Sequence, residues 1–148
     1  MKRILAFLPR SRAKSGLLHL FDHDGVLLHT AECLGKADNA RAADEGNPDR
    51  TPTLPYGDTP SGDFKPSKVE KIDPPHERIG TALIRLNGAS GDAMAAAISR
   101  TGLAIHAGRG DGNLMPTFGC VRVRDRDMNI LVREIGSDAV TVTVEDLE

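Results

Sequence analysis

Residues 139–144 read Ala-Val-Thr-Val-Thr-Val, a strict alternation of apolar and polar side chains. Successive side chains of a strand point to opposite faces, so Val140, Val142 and Val144 share one face of a half-buried strand. The end of the chain is thereby committed to a sheet.

Upstream, short apolar runs separated by turn residues repeat that signal. Leu17–Phe21 and Val26–Thr30 flank Asp22-His-Asp-Gly25, and a turn ending in Gly between two apolar runs predicts a hairpin. Ala82–Leu86 and Leu103–His106 read as further strands. Two helices are expected. One covers Asp92–Ile98, with an Asp suited to its N-terminal dipole. The other covers Asp125–Ile135, where Met128, Leu131, Val132 and Ile135 fall on one helical face and Asp125 is the expected cap. Residues 35–63 are polar and rich in Pro and Gly, so a long surface loop is expected there. The sum is a mainly β domain with two short helices, of the α+β class, spanning 1–148 with residues 1–16 as an N-terminal extension. With 3% aromatic residues and no Trp, its core must be built from Leu, Ile, Val and Ala.

Charge and cysteine usage narrow the function classes. A net charge of −2 gives no basic face for nucleic acid. Cys33 and Cys120 are too few for a disulfide framework, and Cys33 reads as a small buried apolar residue. The start Met1-Lys-Arg is positive, but the apolar run after it ends at Pro9, too short for the core of a signal peptide. No stretch approaches the ~18–20 apolar residues of a membrane span, so no integral membrane segment is expected. His19, Asp22, His23, Asp24 and His29 are metal-capable, yet alternation along the hairpin splits them between two faces, and no metal site is expected.

The chemistry concentrates in two segments. Leu103-Ala-Ile-His106-Ala-Gly leads through a Gly-rich loop to Pro116-Thr-Phe-Gly119-Cys120-Val-Arg122. A cysteine reacts as its thiolate, so a nucleophilic Cys120 needs a partner base, and His106 stands fourteen positions before it. Such a Cys120 is expected to label with thiol reagents well below pH 8. The amide N–H groups of Gly119 and Cys120 are candidates for an oxyanion hole, Gly119 lacking a Cβ that would hinder the approach of a carbonyl. Arg122 can hold a substrate carboxylate or orient the loop. Thr117, Phe118 and Tyr56 are expected to line the substrate cleft.

In order along the chain, Thr59-Pro-Ser-Gly-Asp-Phe64, Ile105-His106-Ala-Gly, Thr117-Phe-Gly-Cys120-Val-Arg122, a helix and a Val/Thr strand resemble the catalytic domain of the L,D-transpeptidases (YkuD-like) over roughly Leu17 to Glu145. The sequence departs from that pattern at Phe118, where many members carry His, and at Ala107, where Gly is usual. The resemblance implies a β-sandwich of mixed sheets, with Cys120 as nucleophile and His106 as base. It implies a donor that is a peptidoglycan stem tetrapeptide, attacked at the carbonyl of its third residue with loss of D-Ala. An amine acceptor then gives a 3→3 crosslink, water a carboxypeptidase, and a free D-amino acid exchange. No metal or organic cofactor is implied. The alternative is a non-catalytic wall-binding or structural β domain of the same fold. The implied substrate lies in the periplasm or cell wall. Either the chain has been trimmed at its N-terminus, or it is delivered otherwise: as an antibacterial effector with an immunity protein, injected by a specialised secretion apparatus, or as a prophage lysis enzyme.

Overall fold

The computed structural model describes residues 1–147; the expected span 1–148 ends on Glu148, outside the described residues. Eight strands form one mixed ladder: β1 (Lys2–Pro9), β2 (Gly16–Phe21), β3 (Leu27–Cys33), β4 (Gly62–His76), β5 (Gly80–Arg85), β6 (Ala104–His106), β7 (Val121–Arg122) and β8 (Ala139–Leu147), in the order β3-β2-β1-β8-β4-β5-β6-β7. The pairs β1·β8 and β6·β7 are parallel and the other pairs antiparallel. Just past β3, Leu34 bridges Arg122 of β7, so the two edges of the ladder meet beside the Cys120 loop. The mainly β, α+β class is as expected from the sequence.

Val140, Val142 and Val144 are buried on one face of β8, as their alternation requires. The 16–33 hairpin forms, its turn tied by Asp22 Oδ1 accepting from the backbone N–H groups of Asp24 and Val26, each at 2.9 Å. Residues 2–9, expected to be part of an extension, are instead a central strand between β2 and β8. Its continuous apolar run is the mark of a strand buried within a sheet rather than at its edge, and Ile4, Ala6 and Leu8 are fully buried. Strand β4 is long and bends at register shifts between Phe64 and Ser67 and between Lys71 and His76. Prolines sit at both breaks, where no ladder N–H is needed.

Among the described residues there are three helices rather than two: α1 (Asn39–Asp44), α2 (Gly91–Ala96) and α3 (Asp125–Ile135). Helix α1 lies inside the segment expected to be a surface loop, where Asp38 caps it by accepting from Arg41 N at 2.9 Å. That segment folds inward. Asn47, Asp58 and Thr59 are buried, with their polar atoms paired: Asp58 Oδ1 accepts from Ala37 N at 2.8 Å and Arg50 Nε at 3.1 Å. Helix α3 has the expected bounds and buries Met128, Leu131 and Ile135. Its N-cap is Arg124 rather than Asp125, whose carboxylate instead accepts from Gly108 N at 2.8 Å and ties the helix to the strand-end loop after His106. No helix among the described residues is long and apolar enough to cross a membrane.

Candidate active site

Parallel pairing brings the two reactive segments together. Ile105 pairs with Val121 and His106 with Arg122, so Cys120, the residue immediately before β7, leads into the strand that pairs with the strand of His106. Both side chains line one cleft of about 700 Å³ with Tyr56, Thr117, Phe118 and Arg122. All seven sequence-predicted residues but Gly119 therefore reach the cleft wall, and Gly119 underlies it as Cys120's neighbour.

Among the described residues no side chain hydrogen-bonds to His106; a backbone carbonyl orients it. Its Nδ1 lies 2.8 Å from Ala107 O. A carbonyl only accepts, so Nδ1 carries the proton and Nε2 keeps a free lone pair. Burial pushes the imidazole down to about 4, so it is neutral at physiological pH. Cys120 is partly exposed, with Sγ 3.5 Å from Gly102 O. Burial raises its thiol above the ordinary value, against the pull of an Ala104 backbone hydrogen bond and of the Arg100 and Arg122 guanidiniums. The resting pair is thus neutral thiol and neutral imidazole. The raised thiol points away from a Cys120 already ionised well below pH 8, because desolvation outweighs the nearby cations.

Contacts within the protein bear on three further sequence-based roles. Gly119 N donates to Thr117 Oγ1 at 2.9 Å, so that N–H is not free for an oxyanion. The space a Cβ would take at Gly119 is filled by Arg100 Nη2 and Gly57 O, not left open for substrate. The Thr117 hydroxyl also donates to Cys120 O at 2.9 Å, so it ties both Gly119 N and Cys120 O into the turn while lining the cleft. The Cys120 N–H makes no hydrogen bond among the described residues.

Arg122 clamps the loops. Its Nε donates to Met115 O at 2.8 Å, and its Nη1 to Arg78 O at 3.0 Å, Ala107 O at 2.5 Å and Gly108 O at 3.2 Å. Of its two expected roles the geometry gives loop orientation. By sharing the Ala107 carbonyl it also fixes the group that sets the His106 tautomer. Arg100, which no sequence motif marked, does the same on the other flank: Nη1 donates to Pro52 O at 2.6 Å and Asp58 O at 3.0 Å, and Nη2 to Gly57 O at 3.0 Å and Phe118 O at 3.3 Å.

Phe118 is 46% exposed at the cleft mouth and packs edge-on against Tyr56 at 5.8 Å. Arg41 lies 5.2 Å from both ring centroids and Arg78 lies 5.9 Å from that of Phe118. These contacts make a mixed aromatic and cationic rim.

No family model matches the chain, and no curated protein matches it. Its fold is similar to that of Bd1075 of Bdellovibrio bacteriovorus (TM-score 0.63, 17% identity, 97% of this chain and 48% of that one). It is also similar to the helical cell shape determining protein Pgp2 of Campylobacter jejuni (TM-score 0.55, 15% identity, 99% of this chain and 49% of that one). The chain spans about half the length of these structures, and at such identities the likeness is one of fold.

Proposed function

We propose that this protein is a cysteine-dependent acyl transferase acting on peptidoglycan stem peptides, in the manner of the L,D-transpeptidases it resembles. The observation that carries the reading is the His106 Nδ1 contact with Ala107 O, which leaves a neutral Nε2 as a base in the cleft that Cys120 lines. The fold shared with a helical cell shape determining protein is consistent with work on the cell wall.

In this reading the Cys120 sulfur bonds to the carbonyl carbon of the third stem residue while its proton passes to His106 Nε2. The oxyanion takes a hydrogen bond from the Cys120 N–H, the one amide of the expected pair left unpaired. Collapse breaks the C–N bond, the imidazolium protonates the departing D-Ala amine, and a thioester remains. Water, a free D-amino acid or a stem amine then attacks the thioester. Its proton passes through His106 to the leaving sulfur. Because both groups start neutral, proton transfer accompanies attack rather than preceding it. No step requires a metal or organic cofactor.

The test is incubation with purified tetrapeptide muropeptides, with and without added D-amino acid, read by mass spectrometry beside Cys120→Ala. Loss of D-Ala, exchange or dimer formation by the native protein alone supports the reading. Unchanged muropeptides under every condition would sink it.

A further inference from the structure

We propose that Arg78, in the turn between β4 and β5, is a specificity-determining residue that grips a free carboxylate of the donor peptide. The proposal rests on the acyl-transfer reading above.

The cleft is lined by Arg78, Arg100, Arg109 and Arg122, with His76 and His106, and by one acid, Asp38. The cations are not equivalent. Arg100 and Arg122 are buried and committed to backbone carbonyls, so they contribute field but little grip. Arg109 faces Glu77 at 3.5 Å. Asp38 is occupied in capping α1. The exposed guanidinium of Arg78 makes no hydrogen bond or ion pair among the described residues, and it lies 5.9 Å from the Phe118 ring centroid.

The backbone of Arg78, by contrast, is fixed. Its N–H donates to His76 Nδ1 at 3.0 Å, and its carbonyl accepts from Arg122 Nη1 at 3.0 Å, two residues beyond the nucleophile. An open five-donor fork on an anchored backbone, resting on an aromatic face beside the Cys120 loop, is a carboxylate receptor awaiting its ligand. The surplus of positive charge around it disfavours an amide and repels an ammonium. The carboxylate has two sources on a stem donor. One is the terminal carboxylate of the leaving residue, and the other is a side-chain carboxylate on the acyl part.

The experiment measures release of the terminal residue from three tetrapeptides: unmodified, amidated at the C-terminus, and amidated at the side-chain carboxylate of the third residue. Native protein is compared with Arg78→Gln and Arg78→Lys. One amide should lower native kcat/KM by about 10–100-fold, chiefly through KM, and which amide does so identifies the source. Arg78→Gln should bring the unmodified peptide down to the level of that amide with kcat nearly unchanged, and Arg78→Lys should recover part of the loss. Equal use of all three peptides by the native protein, or full discrimination retained in Arg78→Gln, overturns the role of Arg78 and leaves acyl transfer standing. If no peptide is turned over, acyl transfer fails, and calorimetric binding of the same peptides to Cys120→Ala decides the Arg78 claim. Preference for the unmodified peptide, lost when Arg78→Gln is added, supports it; no preference or no binding overturns it.

Discussion

The hydroxyl of Thr59 donates to the carbonyl oxygen of Gly119 at 2.7 Å, across sixty positions of sequence. Thr59 is fully buried, its N–H donating to Gly35 O at 2.9 Å and its carbonyl accepting from Arg12 Nε at 3.1 Å. The Thr-Pro-Ser-Gly segment therefore fixes the backbone that presents the nucleophile. Thr59→Val keeps the shape and removes the donor, stranding a buried carbonyl at a cost of about 1–3 kcal/mol. Urea unfolding should show that loss, with kcat/KM falling about tenfold or more as Cys120 loses its placement. Thr59→Ser should restore most of both.

Gly119 adopts φ +116°, and a Cβ there would lie 1.9 Å from Arg100 Nη2 and 2.3 Å from Gly57 O. Gly119→Ala must displace the Arg100 clamp as well as strain the backbone, so we expect a loss above about 3 kcal/mol or failure to fold. Gly112→Ala is the control. Nothing lies within 4 Å of its added Cβ, and its melting temperature should stay close to that of the native protein.

The His106 imidazole sits at about 4 when folded against an ordinary 6.5. As pH falls, the unfolded chain takes up this proton first, so stability drops between about pH 6.5 and 4, by on the order of 3 kcal/mol from this group. His106→Asn keeps a donor for Ala107 O without titrating. Urea midpoints at pH 7 and pH 4.5 should therefore differ less in His106→Asn than in the native protein; an equal difference in both would show that His106 is not held neutral.

Alkylation separates the two thiols. Cys33 is buried and pushed up to about 12, and burial raises Cys120 above its ordinary 9.0. Iodoacetamide labelling of the ligand-free protein, followed peptide by peptide, should rise for Cys120 only on the alkaline side of pH 9 and stay minimal for Cys33. A Cys120 midpoint near 7 would mean a preformed thiolate and a different division of labour with His106.

The half-buried elements were legible in the sequence. Alternation in residues 139–144 and the apolar face of 125–135 are local signals, and β8 and α3 follow them. Strand β1 was hidden because a strand within the sheet carries a continuous apolar run that resembles a truncated targeting segment. Strand β4 was hidden by its prolines and charges, which its bulges and exposed face tolerate. At the site, residue types marked Cys120, His106 and Arg122, but not which atoms were free. Gly119 N–H, the Thr117 hydroxyl and most of the Arg122 guanidinium are consumed by contacts within the protein. Arg100 carried no sequence signal, because its partners are backbone carbonyls contributed by residues 42 to 48 positions earlier and by Phe118.

The most direct test of the account is intact-protein mass spectrometry after brief mixing with a tetrapeptide donor. The account predicts an adduct equal in mass to the tripeptide acyl group, localised to Cys120, cleaved by hydroxylamine and absent from Cys120→Ala. Release of the terminal residue at the native rate by Cys120→Ala, or an adduct on any other residue, would contradict it.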